Sequence, residues 1–77
     1  MFEQLKDLIV NYVEVNKEDI TENSRFIEDL GFNSYMFMSF LGEVEDTYDV
    51  EVDEQEVLKL RTVADAIAYI QKLQDEN

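Results

Sequence analysis

Between Ser34 and Tyr48 the large apolar residues Phe37, Phe40, Leu41, Val44 and Tyr48 stand at i, i+3, i+4, i+7 and i+11. On a strand that spacing scatters them over both faces, whereas on an α-helix it gathers them into one stripe. Such a stripe has to be covered, and the rest of the chain supplies matching ones. Phe2, Leu5, Leu8, Ile9, Tyr12 and Val13 recur at helical spacing over Met1–Val15, which predicts a first helix there. Val63, Ala66, Ile67, Ile70 and Leu73 repeat after Thr62, a good N-cap, with Asp65 placed three residues on as in a capping box.

The segments between these stripes are short on regular structure. Asn16–Asn23, "NKEDITEN", is polar and reads as a loop. Phe26, Ile27 and Leu30 form an apolar turn that pins this long loop to the core, and Gly31 is free to take the positive φ that ends it. "YDVEVDEQ" alternates like a strand but has no partner strand, so it is expected as a loop with Val50 or Val52 turned inward. A short third helix is expected from Asp53 or Glu54 through about Leu60, with Val57, Leu58 and Leu60 making apolar contacts. The fold class is therefore all-α, a small four-helix bundle of three main helices and one short one. Residues 1–77 form one domain, with a long loop between helices 1 and 2.

With 77 residues, none of them Cys, no disulfide or thiolate metal site braces this core, and helix packing has to suffice. Six Lys+Arg stand against 19 Asp+Glu, a net charge of -13. Nucleic acid and anionic membrane surfaces are excluded as partners on that balance, and a basic protein surface is favoured. No apolar run is long enough to span a bilayer and no signal-peptide pattern opens the chain, so a cytoplasmic monomer is expected. With neither Cys nor His, the usual nucleophile–base pairs are missing, and an enzyme is not expected. The acidic stretch "DTYDVEVDEQEV" lacks the sixth-position Gly and twelfth-position Glu of an EF-hand loop, so no metal ligands are assigned.

What remains is a hydroxyl in "GFNSYM", residues 31–36. Ser34 serves as the N-cap of helix 2 if it accepts from the backbone N–H of Phe37. Asn33 is an equally good cap one residue earlier. If Asn33 caps, Ser34 becomes the first helical residue, and its hydroxyl faces solvent where unpaired N–H groups and the helix dipole favour a phosphate.

"LGFNSYMFMSFLGEVEDTYDVEV" followed by "LRTVADAIAYI" resembles the acyl carrier proteins and their peptidyl-carrier relatives over nearly the whole chain. The resemblance implies a non-enzymatic carrier. A phosphopantetheinyl transferase attaches 4'-phosphopantetheine from coenzyme A to Ser34, and the terminal thiol then holds an acyl or aminoacyl group as a thioester. Loading ligases and synthases with basic docking patches are the implied partners, in fatty-acid, polyketide or related biosynthesis. The family's Asp-Ser-Leu is matched only at its Ser, because Asn33 and Tyr35 replace the flanking pair. Helix 2 of the family is acidic on its exposed face. Here Asn33, Tyr35, Met36, Met38, Ser39 and Gly42 are expected to make a docking surface apolar beside the arm, with acid further along at Glu45 and Asp46. Phe40, Leu41, Val44, Val57, Leu60, Ala66 and Ile67 are the expected lining of any acyl cavity, with bulky Phe40 and Tyr48 limiting it to short cargo. The rival expectation is an acidic interaction module, a degenerate carrier fold that only docks a basic partner.

Overall fold

A computed structural model describes residues 1–76; the expected domain limit at Asn77 lies outside them. Helix α1 spans Phe2–Ile9, α2 Ser34–Tyr48, α3 Glu54–Val57 and α4 Val63–Asp75, with a 3-10 turn at Lys17–Asp19. The architecture is all-helical, three longer helices and a short one, with the long loop between α1 and α2.

Helix α1 is shorter than the apolar period predicts. Val10, Asn11, Val13 and Val15 are weak helix formers. The bonds tighten after Ile9, with Asn11 N–H donating to the Leu8 carbonyl (3.2 Å) and Tyr12 N–H to the Ile9 carbonyl (3.0 Å). The apolar period nevertheless survives as packing, because Tyr12 and Val13 lie half-buried against the core. Tyr12 is then tied to α2: its hydroxyl donates to the Glu43 carboxylate at 3.0 Å.

The loop from Ile20 to Asn33 is pinned by two of its three expected apolar residues, while Ile27, expected with them, is 56% exposed. Phe26 and Leu30 are buried, and Gly31 takes φ +86°. Phe32, not expected in the core, is buried as well. The loop is also sewn to the start of α4, a pairing that the sequence does not announce. Phe26 N–H donates to the Arg61 carbonyl (2.9 Å), and Val63 N–H donates to the Ser24 carbonyl (3.0 Å). Ser24 itself is buried and satisfied, its Oγ accepting from Thr21 N–H at 2.9 Å.

Regular α3 ends at Val57 rather than Leu60. Asp53 caps it, accepting from the N–H groups of Gln55 (2.8 Å) and Glu56 (3.3 Å). Three-residue turns then carry the chain on, with Leu60 N–H donating to the Val57 carbonyl at 3.1 Å. A period of three keeps Val57 and Leu60 on the core side and swings Leu58 out. Leu58 is 80% exposed, so its expected core contact is not made. Val50 is buried and Val52 half-buried, so both valines of the α2–α3 loop turn inward.

Four phenylalanines fill the centre. Phe26 sits 4.9 Å from Phe37 and 5.7 Å from Phe40 between ring centroids, and Phe32 lies 5.5 Å from both Phe26 and Phe40. These separations are those of attractive aromatic pairs. Leu5, Ile9, Val44, Val57, Val63 and Ile70 close around them.

At the start of α4 the capping box is complete. Thr62 Oγ1 accepts from Asp65 N–H (3.1 Å), and the Asp65 carboxylate accepts from the N–H groups of Thr62 (3.1 Å) and Arg61 (3.0 Å). The backbone donors from Arg61 and Thr62 hold the Asp65 carboxyl below the usual range. A depressed carboxyl contributes stability that is present above the ordinary Asp range and lost as pH falls through the lowered value. Asp65→Asn is accordingly expected to lower the melting temperature near neutrality and to flatten its fall below about pH 4, the ordinary Asp range. Thermal melts from pH 7 to 2 check this; parallel curves for the two proteins would contradict it.

Candidate functional site at the mouth of helix 2

The start of α2 decides the role of Ser34. Asn33 has extended backbone, φ -107° and ψ 175°, and its Oδ1 accepts from Met36 N–H at 2.8 Å. Its carbonyl accepts the first helical bond, from Phe37 N–H at 2.9 Å. The cap therefore belongs to Asn33, and Ser34 is the first helical residue, exposed to solvent. The N–H groups of Ser34 and Tyr35 precede the first bond that α2 makes with itself, so they point outward as orphan donors. The first turn of α2 contains no acidic residue, in a chain with 19 of them. An anion attached at Ser34 thus meets the positive end of the helix with no carboxylate in the same turn to repel it, an advantage of about 0.3–1 kcal/mol at an exposed site.

Ser34 also lies on the rim of a cleft of about 110 Å³, otherwise bordered by Ile27, Phe37, Met38, Val57, Leu58 and Leu60. Ser34 is its one polar residue. The collar around it is exposed and apolar: Ile27 is 56% exposed, Met38 40% and Leu58 80%, with Tyr35 beside them at 82%. The collar is thus an exposed apolar patch on a strongly acidic chain.

The other residues singled out from the sequence fall into three groups. Asn33, Tyr35, Met38, Ser39 and Asp46 are exposed, whereas Met36 and Gly42 are only partly so, Met36 packing against the core. Glu45 is half-buried and occupied, since its Oε2 accepts from Val52 N–H at 2.9 Å and so anchors the loop that leads into α3. Of the seven expected cavity residues, Val57 and Leu60 border the cleft at Ser34. Phe40, Leu41, Val44 and Ala66 are buried in the packed core, and Ile67 leans half-buried on it. The cause is the aromatic block, with Phe26, Phe37 and Phe40 filling the space behind the cleft. Ile27 and Leu58 were not anticipated here. Both were expected to pack inward, Ile27 in the loop turn and Leu58 in the third helix, and both instead stand exposed at the cleft.

Fold and site together define a small helical domain that presents one free hydroxyl at a helix mouth, next to an apolar cleft. Residues 3–70 match the family described as a phosphopantetheine attachment site. The chain is 39% identical to an acyl carrier protein of Lactobacillus acidophilus, the alignment covering 96% of this chain and 92% of that one. It is 38% identical to an acyl carrier protein of Akkermansia muciniphila, over 94% and 90% of the two chains. The fold is similar to that of a thermally stable acyl carrier protein from Enterococcus faecalis, with a TM-score of 0.81, 25% identity, and coverage of 94% and 91%. The chain belongs to the acyl carrier protein family. Its prosthetic group is covalently attached 4'-phosphopantetheine, whose terminal thiol carries acyl groups as thioesters. Members of the family are carriers rather than catalysts and work with transferases and synthases. Among the described residues no helix is long and apolar enough to cross a membrane.

Proposed function

We propose that Ser34 is the attachment residue, and that residues 1–77 act as a single, non-catalytic carrier domain for short acyl or aminoacyl groups. The carrying observation is the division of labour at the start of α2. Asn33 makes the cap, which leaves the Ser34 hydroxyl exposed among orphan N–H groups with no acid in the turn. In loading, the Ser34 oxygen attacks the phosphorus that bears pantetheine in coenzyme A. A new phosphodiester forms, the pyrophosphate bond breaks, adenosine 3',5'-bisphosphate leaves, and the serine proton passes to a base on the transferase. The partners are that transferase and the ligases and synthases that load and use the cargo, in fatty-acid, polyketide or related biosynthesis, with the cytoplasm as the setting. The test is direct. The chain is incubated with coenzyme A and a broad-range phosphopantetheinyl transferase and weighed intact. A gain of one phosphopantetheine, absent in Ser34→Ala, supports the carrier reading. No gain with any transferase favours instead the acidic docking module, to which the substitutions Asn33 and Tyr35 at the family's attachment motif would then belong.

The partner surface follows from the collar. Tyr35 and Met38 are large, exposed and adaptable contacts beside the arm, while Asp46 supplies charge a few turns along. Met38→Glu is expected to lower kcat/KM for acyl transfer by a cognate partner about tenfold, as for a residue central to an interface. The helical spectrum should not change, since Met38 is 40% exposed. An unaltered transfer rate would remove Met38 from the docking surface.

A further inference from the structure

The cleft at Ser34 does not end at Leu60. A second cleft of about 380 Å³ is bordered by Phe26, Ile27, Phe37, Leu58, Leu60 and the charged residues Glu28 and Arg61. Ile27, Phe37, Leu58 and Leu60 border both, so the two are contiguous and form one trough. Its floor is closed. Phe26 and Phe37, 4.9 Å apart between ring centroids, shut off the interior, with Phe40 packed behind them. With the interior shut off, the trough runs along the surface, Ser34 bordering its first part and Arg61 its second.

Arg61 is held for that position. Its carbonyl accepts from Phe26 N–H at 2.9 Å and its own N–H donates to Asp65 at 3.0 Å, so the backbone is fastened on both sides. Its guanidinium is exposed and takes part in no ion pair among the described residues. The Asp65 carboxylate feels its charge but is already occupied by two backbone donors of the capping box. The carboxylate that borders the trough, Glu28, is engaged by Arg25 at 3.5 Å. One unpaired guanidinium therefore borders a trough whose other walls are mostly apolar side chains, in a protein of net charge -13.

We propose that Arg61 is a specificity-determining residue for the cargo, selecting short acyl groups whose far end carries a carboxylate, the half-thioesters of dicarboxylic acids. This rests on the carrier reading and on Ser34 as the attachment point. An alkyl chain gains only from the apolar walls of the trough. A chain of the same length ending in a carboxylate gains those walls and also a charge-assisted pair with the planar guanidinium.

The test compares two cargoes of equal length. The isotope-labelled chain is loaded by a broad-range transferase from glutaryl-coenzyme A, with its free carboxyl labelled, or from pentanoyl-coenzyme A, and both products are followed by NMR. Both cargoes are expected to shift the Leu58 and Leu60 methyl signals, but only glutaryl shifts the Arg61 Nε–H. The free carboxyl of bound glutaryl should titrate about half a pH unit below that of free glutaryl pantetheine, the size of a partly exposed ion pair. Arg61→Gln should abolish that difference and Arg61→Lys should restore most of it, with the backbone spectrum retained in both. If glutaryl and pentanoyl leave Arg61 equally unmoved, or if the carboxyl titrates alike in Arg61→Gln and the parent, the proposal is overturned while the carrier reading stands. A chain that gains no mass at Ser34 overturns both.

Discussion

Phe40→Ala is expected to remove most of the chain's stability and bring it close to its unfolding midpoint at physiological temperature. Phe40 is fully buried and touches every part of the aromatic block, with ring centroids 5.7 Å from Phe26, 5.5 Å from Phe32, 6.2 Å from Phe37 and 6.0 Å from Tyr12. Truncating a core phenylalanine costs about 3–5 kcal/mol through lost burial and the cavity left behind. Domains as a whole hold about 5–15 kcal/mol, and one of this size belongs at the lower end. No disulfide limits the unfolded state, because the chain has no cysteine. Urea unfolding monitored by circular dichroism measures the loss. A cost under about 1 kcal/mol, well below that of a core truncation, would show that the block is not packed as described.

Ser34→Ala has the second large effect, and it falls on function alone. All loading with phosphopantetheine should disappear, while stability stays within about 0.5 kcal/mol of the parent, as for a surface change outside any cap or core. Its neighbour should behave in the opposite way. Asn33→Ala removes the side chain that accepts from Met36 N–H and is expected to cost about 1 kcal/mol. The Asn33 variant keeps its acceptor hydroxyl at Ser34, so loading persists. Denaturant melts and intact masses of the two variants read this double dissociation. A Ser34→Ala protein destabilised as much as Asn33→Ala would mean that the serine, not the asparagine, holds the helix end.

Much of this was legible from the order of residues, for identifiable reasons. The α2 stripe and the α4 stripe are long, strongly periodic and bounded by caps, and both helices lie where periodicity puts them. Gly31 takes its left-handed turn because the chain has to reverse into the cap, and a glycine stands at that point. Tyr12 misled differently, since apolar spacing records which side chains are buried, not whether the backbone keeps its i→i−4 bonds, and the Tyr12 N–H donates three residues back, to Ile9. Weak helix formers let α1 lapse into turns after Ile9 while the packing carried on. Leu58 points outward because neighbouring residues stand about 100° apart on an α-helix and about 120° on a 3-10 turn, so with Val57 and Leu60, three apart, on the core side, Leu58 cannot join them.

The site was legible in part. Two adjacent cap-forming residues, Asn33 and Ser34, left two geometries open, and only the Asn33–Met36 bond separates them. The trough was harder to foresee, because it is made by residues distant in sequence: Ile27 in the long loop, Phe37 on α2, and Leu60 and Arg61 after α3. The pairing of Phe26 with Arg61 brings them together, and a single backbone bridge leaves no periodic trace.

The central claim is that the prosthetic group sits on the oxygen of Ser34. Fragmentation mass spectrometry of the loaded chain, digested so that Ser34 and Ser39 fall on separable fragment ions, tests it most directly. The account predicts that the phosphopantetheine mass is borne only by fragments that contain Ser34. Its appearance on Ser39, or its absence from every peptide after exhaustive loading, would contradict the account.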